Sequence, residues 1–595
     1  MTDAVRLTLD FSLSEGEAPA RHHFADPVAV ITAHRIGEVL PILHEVDAAA
    51  RRGLWAVGFV AYEAAPAFDP AFVVRDPVPD LPLVWFALFA APTPPQAATP
   101  PMALEEPSSW ETDTSSEEWT TAIAAVHMAI AAGETYQVNL TRRLRRERVA
   151  DVHELSSLYE SLRAAQQGGR YGALLDTGRF QILSLSPELF FATEGCRIVT
   201  RPMKGTARRG RWSEEDEGLA EALVRSEKER AENVMIVDLL RSDLGRIARP
   251  GSVRVPHLFT RERYPTIWQM TSTIEAELTD SIRLPQVFAA LFPCGSVTGA
   301  PKIRTMHHIA ALERSPRGVY CGAVGVVQPG GDAVFNVAIR TLLQDRASGR
   351  QEYGVGAGIT WDSRADTEWA ETEAKSAVLL RSHTPPTFDL LETLRLEEGI
   401  YRLEERHGQR LEASARYFGR VCDRERIRET LRAFAEAHAA GDWRVRLCVA
   451  PDGTPRVEGA PLPERWLTLQ DTPDSRPVIM AATPISHHDP FLFHKTTHRA
   501  VYEAHRAGIA SEVLDVLLWN EAGEATEFTI GNLVAEIGGV LWTPPIDCGL
   551  LPGTLRAELL EQGIVQERRL LLDEVRSAPR LWLINSVRGW IPVRL

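Results

Sequence analysis

Residues 383–387 read His-Thr-Pro-Pro-Thr, and the adjacent prolines Pro385 and Pro386 end any helix or inner strand that reaches them. At 595 residues the chain is long enough for more than one domain. The break therefore predicts a first domain at 1–382, a linker at 383–387 and a second domain at 388–595. A second Pro-rich stretch, APTPPQAATPPMALEEP at 91–107, reads as a loop or linker inside the first domain. Upstream of it, WAVGFVAYEA and LVWFALFA read as buried strands.

From residue 115 helix and strand signals alternate. SSEEWTTAIAAVHMAIAAGE opens on Ser and acidic residues and closes on Gly133, the pattern of a capped helix. SEKERAENVMIVDLLRSDLGR predicts a second helix ending near Gly245, and RADTEWAETEAKSAVLL a third. Between them lie β-rich, Gly-punctuated stretches such as YGALLDTGRFQILSLSPELFFAT and GVYCGAVGVVQPGGDAVFNVAIRTLL. The mixture predicts an α/β or α+β fold with large sheets.

A formal charge of −15 argues against general nucleic-acid binding, which needs a basic face. The six cysteines form no CxxC pair, so neither a zinc site nor a disulfide framework is expected. The N-terminus lacks the apolar core of a signal peptide, and no run is apolar enough to span a membrane, so the expected location is the cytoplasm.

Two acidic pairs stand out. Glu229 and Glu232 share a face of the second helix, and Glu368 and Glu371 share a face of the third. Facing each other, they could offer carboxylates to a hard divalent cation. The alternative is two solvated faces with local salt bridges such as Lys228–Glu232 or Glu371–Lys375.

Eight ordered segments carry more information than any pair: GETYQVNLTRR (133–143), LSPELF (185–190), TRPMKGT (200–206), KERAENVMIVDLLRSDLGR (228–246), FPCGSVTGAPKIRTM (292–306), RGVYCGAVG (317–325), VAIRT (337–341) and GVGAGIT (354–360). Over a core of residues 115–380 they resemble the chorismate-utilising family, which includes anthranilate, isochorismate and aminodeoxychorismate synthases. The resemblance implies a four-layer sandwich of two sheets and flanking helices. It implies Mg²⁺ held by Glu232 and Glu371 with Glu229 and Glu368 in support, and chorismate held through Tyr320, Arg340, Gln137, Thr206 and the amides around Gly356 and Gly358.

Within that family Lys204 of PMKGT is typical of aminodeoxychorismate synthases, where relatives have a small residue. The implied chemistry is covalent: Lys204 attacks the ring, and Glu188 of SPELF protonates the departing hydroxyl. Gln137 stands where isochorismate synthases use a water-activating Lys. Gln269 stands where anthranilate synthases have His, which puts aromatising pyruvate elimination by this half in doubt. The first argues against isochorismate formation, and the second points to a product that keeps its enolpyruvyl group. No glutaminase-like Cys and His-x-Glu pair is present, so a separate glutamine amidotransferase subunit is the implied ammonia source.

After the break the motifs change. FDLLETLRLEEGIYRLEERHGQRLEASARYFG (388–419) predicts a strand, a turn at Gly399 and an amphipathic helix. With HKTTHRAVYEA (494–504), TEFTIGNLV (526–534), LWTPPIDCGLLPGTLR (541–556) and INSVRGW (584–590), it resembles the fold-type IV pyridoxal-phosphate (PLP) family, a two-subdomain α+β fold. The resemblance assigns Lys495 to PLP attachment, Glu527 to the ring nitrogen, and Arg410, Ser586 and the Gly553-Thr554-Leu555 turn to the phosphate. It also suggests a homodimer. Together the halves imply chorismate amination followed by PLP-dependent pyruvate elimination, giving 4-aminobenzoate for folate. The alternative is an anthranilate synthase joined to an aminotransferase-like or non-catalytic dimerisation domain.

Overall fold

The computed structural model describes residues 5–13, 19–94, 110–148, 150–165, 170–380, 386–471 and 473–595. Most of the Pro-rich stretch 91–107 and residues 383–385 of the linker lie outside them. The chain divides into two compact units, Met1–Arg208 with Ala220–Pro385, and Arg209–Leu219 with Pro386–Leu595.

The first unit holds two large antiparallel sheets, of nine and ten strands. Strand Trp55–Val60 shows why its sequence is apolar throughout. Successive side chains leave opposite faces of a strand. Val57 and Phe59 enter a core shared with Leu7, Phe11 and Ile182 of the other sheet. Ala56 and Val60 enter a second core with helices Ile36–Arg51, Glu227–Gly245 and Leu284–Leu291. A third core packs helix Val152–Ala165 on the outer face of the nine-stranded sheet. The order is helix, sheet, sheet, helix, the four-layer arrangement expected.

The helix signals place the site. Helix Ser116–Ala131 has Ser115 as its N-cap and Gly133 just beyond its end at φ +71°. Helix Glu227–Gly245 is capped by Ser226, whose side chain accepts from the Glu229 N–H. The third helix is Ala365–Leu380. One expectation is corrected. The run WAVGFVAYEA is not one strand: pairing stops at Val60, and Tyr62–Ala67 forms a 3₁₀ turn containing Pro66, which has no N–H for a ladder.

The second unit has a four-stranded antiparallel sheet and an eight-stranded mixed sheet. Helices Glu404–Phe418 and Arg424–Ala437 pack on the smaller one. The segment Arg209–Leu219 belongs with this unit although it follows the Lys204 strand directly in sequence. Tyr417 Oη donates to the Gly210 carbonyl at 2.8 Å, Arg209 donates to the Tyr417 carbonyl at 2.9 Å, and Trp212 stacks on Phe493. No helix among the described residues is long and apolar enough to cross a membrane. All six cysteines are free thiols.

Candidate active sites

Each unit contains one cavity that gathers the residues singled out above. In the first, a cavity of about 220 Å³ is lined by Lys204, Glu188, Thr206, Tyr320, Arg340, Gly356, Gly358 and all four glutamates, Glu229, Glu232, Glu368 and Glu371. Gln137 does not line it. It sits beside Gly358 on the side that Lys204 also reaches, 1% exposed, with its Oε1 lacking a hydrogen-bond partner.

Lys204 lies on strand Met203–Arg208 and reaches Gly358 on the facing sheet. A methyl group at Gly358 would come within 2.5 Å of Gln137 Nε2 and 3.1 Å of Lys204 Nζ, so only glycine lets both side chains lie there. Glu188 is 3% exposed, and its Oε1 has no hydrogen-bond partner. Burial pushes its carboxyl up to about 7, against the hydrogen bond from Ser296 and the charge of Lys204. A buried acid that is largely protonated near neutrality is what proton donation to a leaving hydroxyl requires.

The four glutamates come from two helices, as their spacing predicts. Burial, with mutual repulsion adding to it, raises the carboxyls of Glu229, Glu232 and Glu368. Of the two salt bridges weighed as the alternative, Glu371–Lys375 forms, at 2.6 Å. Among the described residues no three His, Cys, Asp or Glu side chains are already gathered tightly enough to hold a metal ion. The donor chemistry nonetheless fits magnesium: hard oxygens, clustered and repelling, whose repulsion a divalent ion would relieve. Arg340 is half-buried at the cavity, with a left-handed backbone at φ +50°. Tyr320 is 8% exposed, and the Arg143 guanidinium lies 4.9 Å from its ring centre. Thr206 donates to Gln269 Oε1 at 3.1 Å, and Gln269 is part of this wall.

In the second unit a cavity of about 790 Å³ is lined by Lys495, Arg410, Glu527, Gly553, Thr554, Leu555 and Ser586. Burial, then the charges of Arg410 and Arg499, lower the Lys495 amine to about 8. Glu527 sits on strand Ala525–Phe528. It accepts from Tyr502 Oη at 2.8 Å, the Leu551 N–H at 3.1 Å and Asn532 Nδ2 at 3.2 Å. Burial pushes its carboxyl up to about 8, a shift that a cationic ring nitrogen beside it would reverse. Helix Thr554–Glu561 begins at Gly553, whose missing side chain leaves room for Asn532 Oδ1; a methyl group there would lie 1.9 Å from it. A half-buried lysine, a buried acid and a helix N-terminus beside an arginine fit PLP in donor type and charge.

Two residues here escaped sequence reasoning. Glu392, 1% exposed, accepts from Arg410 Nε at 2.9 Å and Nη2 at 2.5 Å, and pairs with His407 Nδ1 at 2.6 Å. His407 Nε2 in turn meets Thr554 Oγ1 at 3.3 Å. Glu392 thus fixes both the arginine and, through His407, the hydroxyl at the helix start. The signal was an acid inside the apolar strand LLETLRLE, 18 residues before Arg410. Burial would raise its carboxyl, but Arg410 and His407 hold it at about 2 instead of the ordinary 4.5. The sign follows: its stabilisation is complete above the ordinary range and is lost as pH falls toward 2. Glu392→Leu leaves Arg410 and His407 unpaired and is expected to destabilise this unit by about 3–5 kcal/mol, read from urea unfolding at pH 7. A loss below about 1 kcal/mol would contradict the assignment.

The comparisons with known proteins agree with this division. Residues 90–381 match the family model for chorismate binding enzymes, and residues 389–595 that for amino-transferase class IV. The chain is 39% identical over 269 residues to an aminodeoxychorismate synthase component 1 of Bacillus subtilis (strain 168), covering 45% of this chain and 56% of that one. It is 38% identical over 271 residues to an anthranilate synthase component 1 of Haloarcula marismortui, covering 46% and 54%. The chain thus spans about half the length of these curated relatives. An anthranilate synthase component I from Streptococcus pneumoniae TIGR4 shares the fold, with a TM-score of 0.53 at 23% identity over 63% of this chain and 92% of that one.

Proposed function

Since the chain joins a chorismate-binding-enzyme domain to a class IV aminotransferase domain, we propose that it makes 4-aminobenzoate from chorismate and ammonia in two steps, one per domain. The observation that carries this reading is a lysine in each of two cavities, each with a buried acid beside it: Lys204 with Glu188, and Lys495 with Glu527.

In the first step neutral Lys204 bonds to ring carbon C2 of chorismate. The ring double bonds shift, and the C4 hydroxyl leaves as water with the proton of Glu188. Ammonia then bonds to C4, the double bonds shift back, and Lys204 is expelled. The product is 4-amino-4-deoxychorismate. Tyr320, Arg340 and the amides at Gly356 and Gly358 orient the substrate carboxylates. Magnesium held by Glu232 and Glu371, with Glu229 and Glu368 in support, would supply positive charge for the ring carboxylate. Gln137 cannot act as a base toward water, which disfavours hydroxylation at C2.

In the second step the C4 proton and the C3 enolpyruvyl oxygen are lost from 4-amino-4-deoxychorismate. The ring becomes aromatic and pyruvate departs. PLP supplies the electron sink for this proton loss. Lys495 would hold the cofactor and move the C4 proton, Glu527 would face its ring nitrogen, and Arg410, Thr554 and Ser586 its phosphate. Ammonia is expected from a separate glutamine amidotransferase subunit, and the second unit is expected to form a homodimer.

The test is product analysis with chorismate, ammonia and Mg²⁺ and no PLP. Accumulation of 4-amino-4-deoxychorismate supports the reading; anthranilate decides for the rival. A pH profile tests Glu188. The acid is protonated below about 7, so at constant free NH₃ the amination rate should fall as pH rises through that value. Glu188→Gln should lose that limb and about 10²–10⁴-fold in rate. A limb that persists in the variant would remove Glu188 from the role.

A further inference from the structure

The second cavity is more basic than its cofactor requires. Seven basic side chains line it against three acidic ones, in a chain of formal charge −15. The cofactor role absorbs Lys495 and Arg410, the latter already tied to Glu392. Arg499 is half-buried; it donates to the Thr529 carbonyl at 2.6 Å, and its guanidinium lies 4.6 Å from the Tyr502 ring centre.

Arg444 and Arg446 are placed by strand periodicity. On strand Asp442–Val449, Val445, Leu447 and Val449 are buried in the core of the smaller sheet. Arg444 and Arg446 leave the opposite face, which is a cavity wall. Their cross-strand neighbours, Ala460 and Glu458, line the same wall, as does Thr393 opposite Arg446. The Arg446–Glu458 contact is loose, 3.5 Å between half-exposed side chains, and Glu458 is 71% exposed. Such a pair contributes little and leaves the guanidinium available to another anion.

We propose that Arg444 and Arg446, backed by Arg499, form a carboxylate subsite that selects a dianionic substrate. The inference rests on the reading of this cavity as a lyase site and names what confers its specificity. An ordinary amino acid presents one carboxylate next to its amine. In 4-amino-4-deoxychorismate the amine is on the ring, with one carboxylate across the ring from it and the other on the enolpyruvyl group. Once the amine is at Lys495, both anions lie away from the phosphate end and need cations elsewhere. A wall of exposed guanidiniums supplies them, and a basic recess concentrates dianions more than monoanions.

The test uses the full PLP-loaded chain with added 4-amino-4-deoxychorismate, and no ammonia or magnesium, so the first site is idle. Arg444→Met and Arg446→Met should each raise KM about tenfold, the size of one lost charged hydrogen bond, with kcat within about threefold. Arg444→Lys should recover part of the loss. Chorismate carries both carboxylates but no amine, and it should perturb the visible absorbance of the bound cofactor. Its Kd by that signal, which the first cavity does not share, should rise by the same factor. An unchanged KM and chorismate Kd in the double variant would overturn the subsite. A wild-type chain that binds chorismate in this way but releases no pyruvate would instead sink the lyase reading and leave the subsite standing.

Discussion

Lys495→Ala is expected to leave a chain that carries chorismate and ammonia as far as 4-amino-4-deoxychorismate and releases no pyruvate. The amine of Lys495 is the one lysine amine in a cavity that also holds Glu527, Arg410 and the start of helix Thr554–Glu561. Burial and two neighbouring guanidiniums lower it to about 8, so a usable fraction is neutral near neutrality. Alanine removes both the attachment point and the base. The expected loss of pyruvate release is about 10³-fold or more. Pyruvate can be followed through lactate dehydrogenase and NADH. Amination, in the other unit, should keep its rate within about twofold, since sites that share no partners act independently. Pyruvate release at the wild-type rate would remove Lys495 from the chemistry.

The second large effect belongs to Lys204. Lys204→Ala should abolish amination by a comparable factor, about 10³-fold or more, while added 4-amino-4-deoxychorismate is still converted to 4-aminobenzoate. The geometry separates Lys204 from Lys375, a second lysine lining the same cavity. Lys204 Nζ would lie 3.1 Å from a methyl group at Gly358, whereas Lys375 is engaged with Glu371 at 2.6 Å and the Gly356 carbonyl at 2.9 Å. Intact-mass analysis of the wild type given chorismate without ammonia should reveal a ring adduct on the first unit. Amination by Lys204→Ala above about a tenth of the wild-type rate would rule out a covalent role, which general acid–base help alone could not replace.

The sequence made some of this structure legible because certain signals are local. Ser115 and Ser226 announce helix starts with their own side chains, and the three-residue spacing of the glutamates fixes them on one helix face whatever the rest of the chain does. The two lysines were legible through motifs that fix their surroundings. What stayed hidden depends on partners distant in sequence. Glu392 shows its role only once Arg410 and His407, 18 and 15 residues on, are folded against it. The segment 209–219 carries no mark that it packs with Tyr417 and Phe493, more than two hundred residues on. Gln137 was expected to bind substrate; alternation along strand Gln137–Glu147 puts it on the face of Asn139, which lines the cavity, with its amide against Gly358. The left-handed backbone of Arg340 could not be read from an apolar run that suggested a continuous strand.

The account stands or falls on two activities in one chain. The most direct measurement is a single reaction of the purified chain with chorismate, [¹⁵N]ammonia, Mg²⁺ and PLP, with products separated and weighed by mass. The expected result is ¹⁵N-labelled 4-aminobenzoate and pyruvate in equal amounts. Labelled 4-amino-4-deoxychorismate that accumulates while PLP is demonstrably bound, or labelled anthranilate in its place, would contradict it.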